Sequence, residues 1–340
     1  MRQVFITRAG GPEVLQVRES SDPDAKEGEV RIRVKAAGIN FADLMARQGI
    51  YPEAPKIPCV VGYEVSGTID QLGRGVETLA VGDRVVAMPR FGGYTDTLVV
   101  PATNVFKMPS GMSFEQGAAL PVVYLTAHHM MLHIHNLRPR SRVLIHSAAG
   151  GVGLAAIQLA QTRQCEIFGT ASKSKHEFLR ARGVHHPIDS SGSAADVEAA
   201  VRAIIGPERG LDLVLDPVGG PSVAASFRLL DAAGHAIFFG VSGMAGAERS
   251  FLRMIGQLVR MKWFNPIGLM NANKSISGVN MAHFFDRVDV LRPQFEALMA
   301  MFERGEIVPH VDKTFPFTEA AAAHAYLHDR KAMGKVLLVP

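Results

Sequence analysis

The sequence predicts an α/β protein: a β-barrel-like unit into which a doubly wound parallel sheet is inserted. Three observations predict it. Up to about residue 120, short β-branched runs are punctuated by Gly and Pro at the intervals of an all-β unit. From about residue 121, short runs of continuous apolar residues alternate with helical patterns, the rhythm of a parallel sheet covered by helices. After about residue 285 the pattern turns helical and then β again, closing on Lys335-Val336-Leu337-Leu338-Val339. The expected boundaries are 1–120 plus 287–340 for the barrel and 121–286 for the insert.

The elements follow in order. Glu29-Val30-Arg31-Ile32-Arg33-Val34 alternates charged and apolar residues, the period of a half-buried strand. Asp83-Arg84-Val85-Val86-Ala87 is a second such run. In the insert, the strand candidates are Val143-Leu144-Ile145, Ile167-Phe168, Leu213-Val214-Leu215 and Ala236-Ile237-Phe238-Phe239. Helical spacing lies between them at Val152–Ala160 and Lys175–Ala181. The closing strand is expected to return to the barrel.

Composition sets bounds on function. The chain has 340 residues, 47% of them hydrophobic, enough for packed cores and too apolar for disorder. Lys and Arg number 36 against 32 Asp and Glu, a net charge of +4. So small and dispersed an excess argues against a nucleic-acid partner. Two cysteines, Cys59 and Cys165, cannot build a disulfide framework or a four-thiolate zinc site. Cys59 lies in an apolar run and reads as a buried, inert thiol. The first residues lack the apolar core of a secretory signal, and no run approaches the roughly 18 apolar residues of a membrane span. These features predict a cytoplasmic protein with no membrane span.

The sharpest chemical signal is Val143-Leu144-Ile145-His146-Ser147-Ala148-Ala149-Gly150-Gly151-Val152-Gly153. A strand enters a tight turn and a helix leaves it. Ala148, Gly150 and Gly153 hold the spacing of G-x-G-x-x-G, with alanine first. Small residues let a pyrophosphate approach the backbone, and the helix start offers N–H groups and a positive dipole end. Gly150, Gly151, Val152 and Gly153 are therefore expected at the phosphates. An NAD site wants an acidic residue about 20 positions on, for the ribose 2′-hydroxyl. That region reads Gly169-Thr170-Ala171-Ser172-Lys173-Ser174-Lys175, with no carboxylate. Lysine and serine suit a 2′-phosphate, so the expected cofactor is NADPH.

Gly38-Ile39-Asn40-Phe41-Ala42-Asp43-Leu44, continuing through Gly49-Ile50-Tyr51-Pro52, resembles the active-site segment of zinc-independent quinone oxidoreductases of the medium-chain dehydrogenase/reductase superfamily. Gly62-Tyr63-Glu64-Val65-Ser66-Gly67, Gly82-Asp83-Arg84-Val85, the glycine turn and Gly334–Pro340 follow in that family's order. Within it, Phe41–Tyr51, the Thr170–His176 region and Asp312 look most like the vesicle amine transport protein group. The resemblance spans the chain. It implies a GroES-like barrel completed by the C-terminal tail, with a Rossmann domain between. It places Asn40, Asp43 and Tyr51 in the catalytic pocket and Thr126 at the nicotinamide. Ser172, Lys175 and Arg330 would surround the 2′-phosphate, with Ser190 near the adenine ribose where the family often has tyrosine. Phe239, Gly240 and Val241 would flank the cofactor. Arg140-Ser141 departs from the family's usual Gly-Asp.

Zinc is not expected. Where related alcohol dehydrogenases carry Cys and Gly-His-Glu ligands, this chain has Asn40 and Tyr63, leaving Glu64 alone of the three ligands a catalytic zinc needs. His128, His129, His133 and His135 lack a carboxylate or cysteine at metal-site spacing and read as ordinary helix residues. Asn40 and Asp43 also have a plainer reading as helix caps. Tyr51 is the better chemical candidate, because a phenol can donate to a carbonyl. Trp263–Met270 reads either as a loop at a membrane or substrate entrance or as interface packing.

The expected activity is reduction of a quinone, enone or enoyl thioester, the small-molecule partner. A non-enzymatic NADPH-binding role is the alternative. Lys274–Asn280 reads as a sheet edge, and a homodimer joined there is expected.

Overall fold

The computed structural model describes residues 1–242 and 264–340. It divides into two compact units, residues 1–125 with 281–340, and residues 126–280.

The first unit is the barrel. Its main sheet runs Val311–Pro316, Lys335–Val339, Glu29–Ile39, Val65–Leu72, Arg84–Ala87, Val105–Lys107, and Thr97–Pro101 also pairs with Glu29–Ile39. A smaller sheet places Arg2–Ile6 between Leu15–Glu19 and Cys59–Val60. The alternation in Glu29–Ile39 works as read: Val30, Ile32 and Val34 are buried, and Glu29, Arg31 and Arg33 lie half-exposed on the other face. Arg31 and Arg33 share the Asp70 carboxylate on the adjoining strand. The closing strand returns to this sheet, Val336, Leu337 and Leu338 pairing antiparallel with Ile39, Gly38 and Ala37.

The second unit is a six-stranded parallel sheet in the order His186–Asp189, Glu166–Ala171, Arg142–Ile145, Leu211–Asp216, Leu230–Phe238, Ser275–Gly278. Val143, Leu144, Leu213, Val214 and Leu215 are fully buried, as strands covered on both faces require. The strand read as Ala236–Phe239 starts earlier, at Leu230, because the chain joins Leu211 before a register shift to Leu213. The pattern at Lys175–Ala181 folds as a 3-10 turn, Lys173–Lys175, and a short helix, His176–Arg180. The histidine-rich segment forms a π-helix, His129–Ile134.

The units divide a few residues away from the boundaries read in the sequence. Val122 N donates to Glu64 Oε2 at 2.7 Å and Tyr124 Oη to the Val308 carbonyl at 3.2 Å, so the start of helix Pro121–His128 belongs with the barrel. Phe285 packs on Tyr63, which draws the segment after Asn280 into the first unit as well. Both cysteines are buried, and burial pushes both thiols up. Among the described residues no helix is long and apolar enough to cross a membrane. Of Trp263–Met270, Trp263 lies outside the described residues; Pro266–Ala272 is a short helix with no buried residue.

His324, in helix Ala320–His328, is fully buried with Nε2 3.2 Å from Tyr94 Oη. Burial first, and then the Arg47 charge, push it down to about 3. The unfolded chain takes up this proton below about pH 6.5 while the fold refuses it, so stability falls as pH drops from 6.5 toward 3. The slope is about 1.4 kcal/mol per pH unit for one such group. In urea unfolding at pH 7 and pH 5, His324→Gln should reduce the loss of stability between the two by about 2 kcal/mol. An unchanged difference would contradict this account.

Candidate functional site

Asn40 stands at the start of helix Phe41–Arg47 with an extended backbone, φ −119°. Its N–H donates to Asp43 Oδ2 at 2.7 Å, and Gly62 N donates to Asp43 Oδ1 at 3.0 Å. Tyr94, buried close by, also favours the ionised carboxylate. Asp43 is fully buried, and burial pushes it up to about 7 despite the Asn40 N–H and the charge of Lys335. Asp43 thus ties the helix start to the Gly62 turn. Its oxygens face inward to backbone donors, which favours positioning over direct contact with a substrate.

Glu64 follows that turn. Its Oε1 accepts from Asn40 Nδ2 at 2.8 Å and pairs with the ammonium of Lys335, and its Oε2 accepts from Val122 N. Lys335 Nζ also donates to Asn40 Oδ1 at 2.6 Å. The two charges thereby fix the amide: its oxygen faces the cation and its nitrogen the anion. An amide NH2 has two hydrogens, so one remains beyond the bond to Glu64. Glycine is required at position 38, where a Cβ would lie 2.4 Å from Glu64 Oε1 and 2.7 Å from the Ala118 carbonyl.

Tyr51 is half-buried, edge-on to Tyr63 with ring centres 6.4 Å apart. Burial, then the nearby Glu53 charge, raises its phenol, so Tyr51 keeps its proton at neutral pH. Asn40 and Asp43 are bonded to each other, and Tyr51 sits near enough to feel the Asp43 charge. The sequence reading missed Lys335, taking it as the first residue of a strand. The available signal was a pair of opposite charges, Glu64 and Lys335, each embedded in an apolar run that had to be buried.

The site does not fit zinc. Glu64 is the one carboxylate at the ligand positions, and an ammonium already occupies it; Asn40 turns its oxygen to that ammonium and Tyr63 presents a phenol. Among the described residues no group of three or more His, Cys, Asp and Glu could hold a metal ion.

The glycine turn lies in the second unit. Gly150 precedes helix Gly151–Gln161, whose first N–H groups lack helical partners. Gly150 and Gly153 fit a phosphate cradle. A Cβ on Gly153 would lie 2.4 Å from the Ala148 carbonyl, and one on Gly150 would lie 3.3 Å from that of Ser147. Gly151 and Val152 are partly exposed at the helix start. Ala148 replaces the first glycine and is fully buried; Gly169 opposite makes the room, since a Cβ there would lie 3.0 Å from Ala148 Cβ. Ser147 adopts φ 53°, held by its N–H donating to Thr170 Oγ1 at 3.1 Å. Beneath, buried His146 bridges Thr170 and Ser226, and Ser226 donates to Asp216. Asp216 in turn accepts from the N–H groups of Val218 and Gly219.

Ser172 follows the adjoining strand Glu166–Ala171, exposed, its hydroxyl 3.1 Å from that of Ser174. Lys175 closes the 3-10 turn that follows. Ser190 N donates to the Ala171 carbonyl at 3.0 Å, so Ser172, Lys175 and Ser190 gather at neighbouring strand ends. Asp189 ends there too, unnoticed in the sequence, 3.7 Å from Lys173 Nζ and hydrogen-bonded by Ser191. Phe239, Gly240 and Val241 leave strand Leu230–Phe238 beside the Gly219 turn, Phe239 N donating to the Asp216 carbonyl. Thr126 is buried in helix Pro121–His128. Arg330 is exposed in the first unit, at a left-handed turn with φ 57°.

Comparison with known proteins agrees with this architecture. Residues 26–110 match the family described as alcohol dehydrogenase GroES-like domain, and residues 182–338 the family described as zinc-binding dehydrogenase. The Homo sapiens synaptic vesicle membrane protein VAT-1 homolog is 36% identical over 344 residues, covering 100% of this chain and 86% of that protein. The Escherichia coli quinone oxidoreductase, solved in complex with NADPH, superposes with a TM-score of 0.87 at 28% identity over 100% of both chains. CurK enoyl reductase gives a TM-score of 0.86 at 28% identity, over 99% of this chain and 98% of that one. A GroES-like barrel interrupted by a Rossmann sheet defines the medium-chain dehydrogenase/reductase class of oxidoreductase. The chain belongs to that superfamily and, within it, to the group of VAT-1 homologues.

Removing one partner of a buried ion pair leaves the other charge unpaired, at a cost of about 3–5 kcal/mol. Lys335→Met should lower stability by that order in urea unfolding. Adding Glu64→Gln should recover much of it, since glutamine can still accept from Val122 N. A double variant no more stable than Lys335→Met would show that the pairing is not what holds the site.

Proposed function

We propose that the protein is a zinc-independent, NADPH-dependent reductase of conjugated carbonyls, taking a quinone, enone or enoyl substrate. The observation that carries this reading is the Asn40–Glu64–Lys335 cluster at the zinc-ligand positions. It presents an oriented amide donor, with the Tyr51 phenol nearby, instead of a Lewis acid. Neutral donors polarise a carbonyl modestly, which suits substrates activated by conjugation. The quinone oxidoreductase and enoyl reductase titles of the structural neighbours support the same class.

The bound nicotinamide supplies a hydride; the reaction also needs one proton. The glycine turn and the start of helix Gly151–Gln161 would hold the pyrophosphate. Ser172 and Lys175 would take the 2′-phosphate, with Ser190 at the adenosine ribose. Thr126 and Phe239–Val241 would position the nicotinamide end. Asn40 Nδ2 and Tyr51 Oη would donate hydrogen bonds to the carbonyl oxygen as it gains charge, and Tyr51 would supply the proton.

The test is NADPH oxidation over a panel of quinones, enals and enoyl thioesters. Tight NADPH binding with no turnover on any of them would favour a non-enzymatic role. NADPH should bind better than NADH, and Lys175→Ala should weaken NADPH about tenfold while changing NADH little, through loss of a charged hydrogen bond. Equal affinity of the unaltered protein for both cofactors would defeat the assignment.

We also propose a homodimer. Among the described residues, strand Ser275–Gly278 ends the sheet and pairs only with Leu230–Phe238. A two-fold mate would cover that edge. Light scattering at micromolar concentration should give twice the chain mass, and a single-chain mass would exclude it.

A further inference from the structure

Tyr63 lies between the Gly62 turn and the Glu64 carboxylate and is 3% exposed. Its ring is edge-on to Tyr51, 5.3 Å from Phe91 and 5.7 Å from Phe285, centre to centre. The segment carrying Phe285 is tied to the loop after Tyr51 by His283 Nε2, 3.5 Å from Glu53 Oε1. Among the described residues, Tyr63 Oη is buried without a hydrogen-bond partner. Tyr51 is near enough for the two phenols to perturb each other, but no bond of proper geometry joins them. Buried hydroxyls in native proteins are seldom left so, and one beside a proposed active site points to a group that arrives with a ligand. Tyr63 adjoins the proposed site on both sides: it packs on Tyr51, and the next residue, Glu64, accepts from Asn40 Nδ2.

The surroundings indicate which ligand. Three aromatic rings flank the orphaned donor, and rings pack best against other flat rings in offset or edge-to-face contact. The donors number three, Asn40 Nδ2 and the phenols of Tyr51 and Tyr63, more than the two lone pairs of one carbonyl oxygen can accept. An enone or enoyl thioester has one carbonyl to satisfy. A quinone has two: a hydride and a proton convert both carbonyl oxygens to hydroxyls, and negative charge spreads over both on the way.

Resting on the reductase reading, we propose that Tyr63 determines specificity. Its phenol donates a hydrogen bond to one carbonyl of a planar aromatic quinone, whose ring packs against Tyr51, Phe91 and Phe285. Tyr63→Phe keeps the ring and removes only the oxygen.

With NADPH, Tyr63→Phe should lower kcat/KM for 1,4-naphthoquinone about tenfold, the value of one hydrogen bond. For trans-2-hexenal the change should stay within about threefold, with NADPH affinity unaltered. The melting temperature should not fall, because the oxygen makes no internal bond to lose. Calorimetric titration of the cofactor-free protein with 1,4-naphthoquinone gives a readout independent of turnover, and there the variant should bind about tenfold more weakly. Equal losses for quinone and hexenal, or no loss with either, would overturn the proposal. If the unaltered protein reduces nothing yet binds the quinone through Tyr63, the reductase reading fails and the subsite stands. If it neither reduces nor binds the quinone, the subsite fails.

Discussion

The proposed catalytic side of the barrel depends on one buried ion pair, Lys335 with Glu64. Both residues are almost wholly withdrawn from solvent, at 3% and 0% exposure. Desolvating two charges is costly, and their attraction offsets that cost only where the remaining donors and acceptors are also satisfied. Here they are. Asn40 closes the triangle, taking a hydrogen bond from the ammonium and giving one to the carboxylate, and Val122 N takes the second carboxylate oxygen. The amide orientation on which the proposed chemistry rests follows from those two charges.

The pair also dictates chain order. Asn40 and Lys335 are 295 positions apart. The lysine reaches the site because the closing strand docks on Gly38 and Ile39, immediately before Asn40. A chain without that strand would carry a buried, unpaired Glu64 and an unanchored Asn40. The insert must therefore be spanned before the barrel has a site at all. This gives the return of the C-terminal strand a chemical reason beyond filling a sheet edge.

What the sequence made legible was what is local. The glycine turn needs only a strand, small residues and a helix in succession, and residues 142–161 supply them. The alternation in Glu29–Ile39 likewise reads directly as one buried and one wetted face. The partners that define the candidate sites were not legible, because each is set by long-range register. Lys335 looked like no more than the start of the closing strand, Tyr94 and His324 are 230 positions apart, and Asp189 reaches Lys173 only through the pairing of two parallel strands. Ala148 stands where the phosphate motif has its first glycine. It is tolerated because Gly169 faces it across the sheet, a compensation visible only when the strands are aligned.

The two units differ in how completely they satisfy themselves. Beneath the glycine turn, Thr170, His146, Ser226 and Asp216 form a continuous buried chain that ends on the backbone of the Gly219 turn. Such a chain stiffens the left-handed Ser147 and the turns around it, so the cradle is shaped before anything binds. The barrel is different. Among the described residues, the buried side-chain atoms without a partner are Arg47 Nη1, Tyr63 Oη and His324 Nδ1, and all three lie in the first unit. Arg47 and His324 belong to the interior beside Tyr94, where burial first, and then the guanidinium charge, keep the imidazole neutral. Tyr63 belongs to the aromatic wall beside Asn40 and Glu64. An interior that leaves hydrogen-bonding capacity unused forgoes stability, and at Tyr63 it does so beside the residues proposed to hold the substrate. Among the described residues, the second unit, which carries the phosphate turn, leaves no buried side-chain polar atom without a partner.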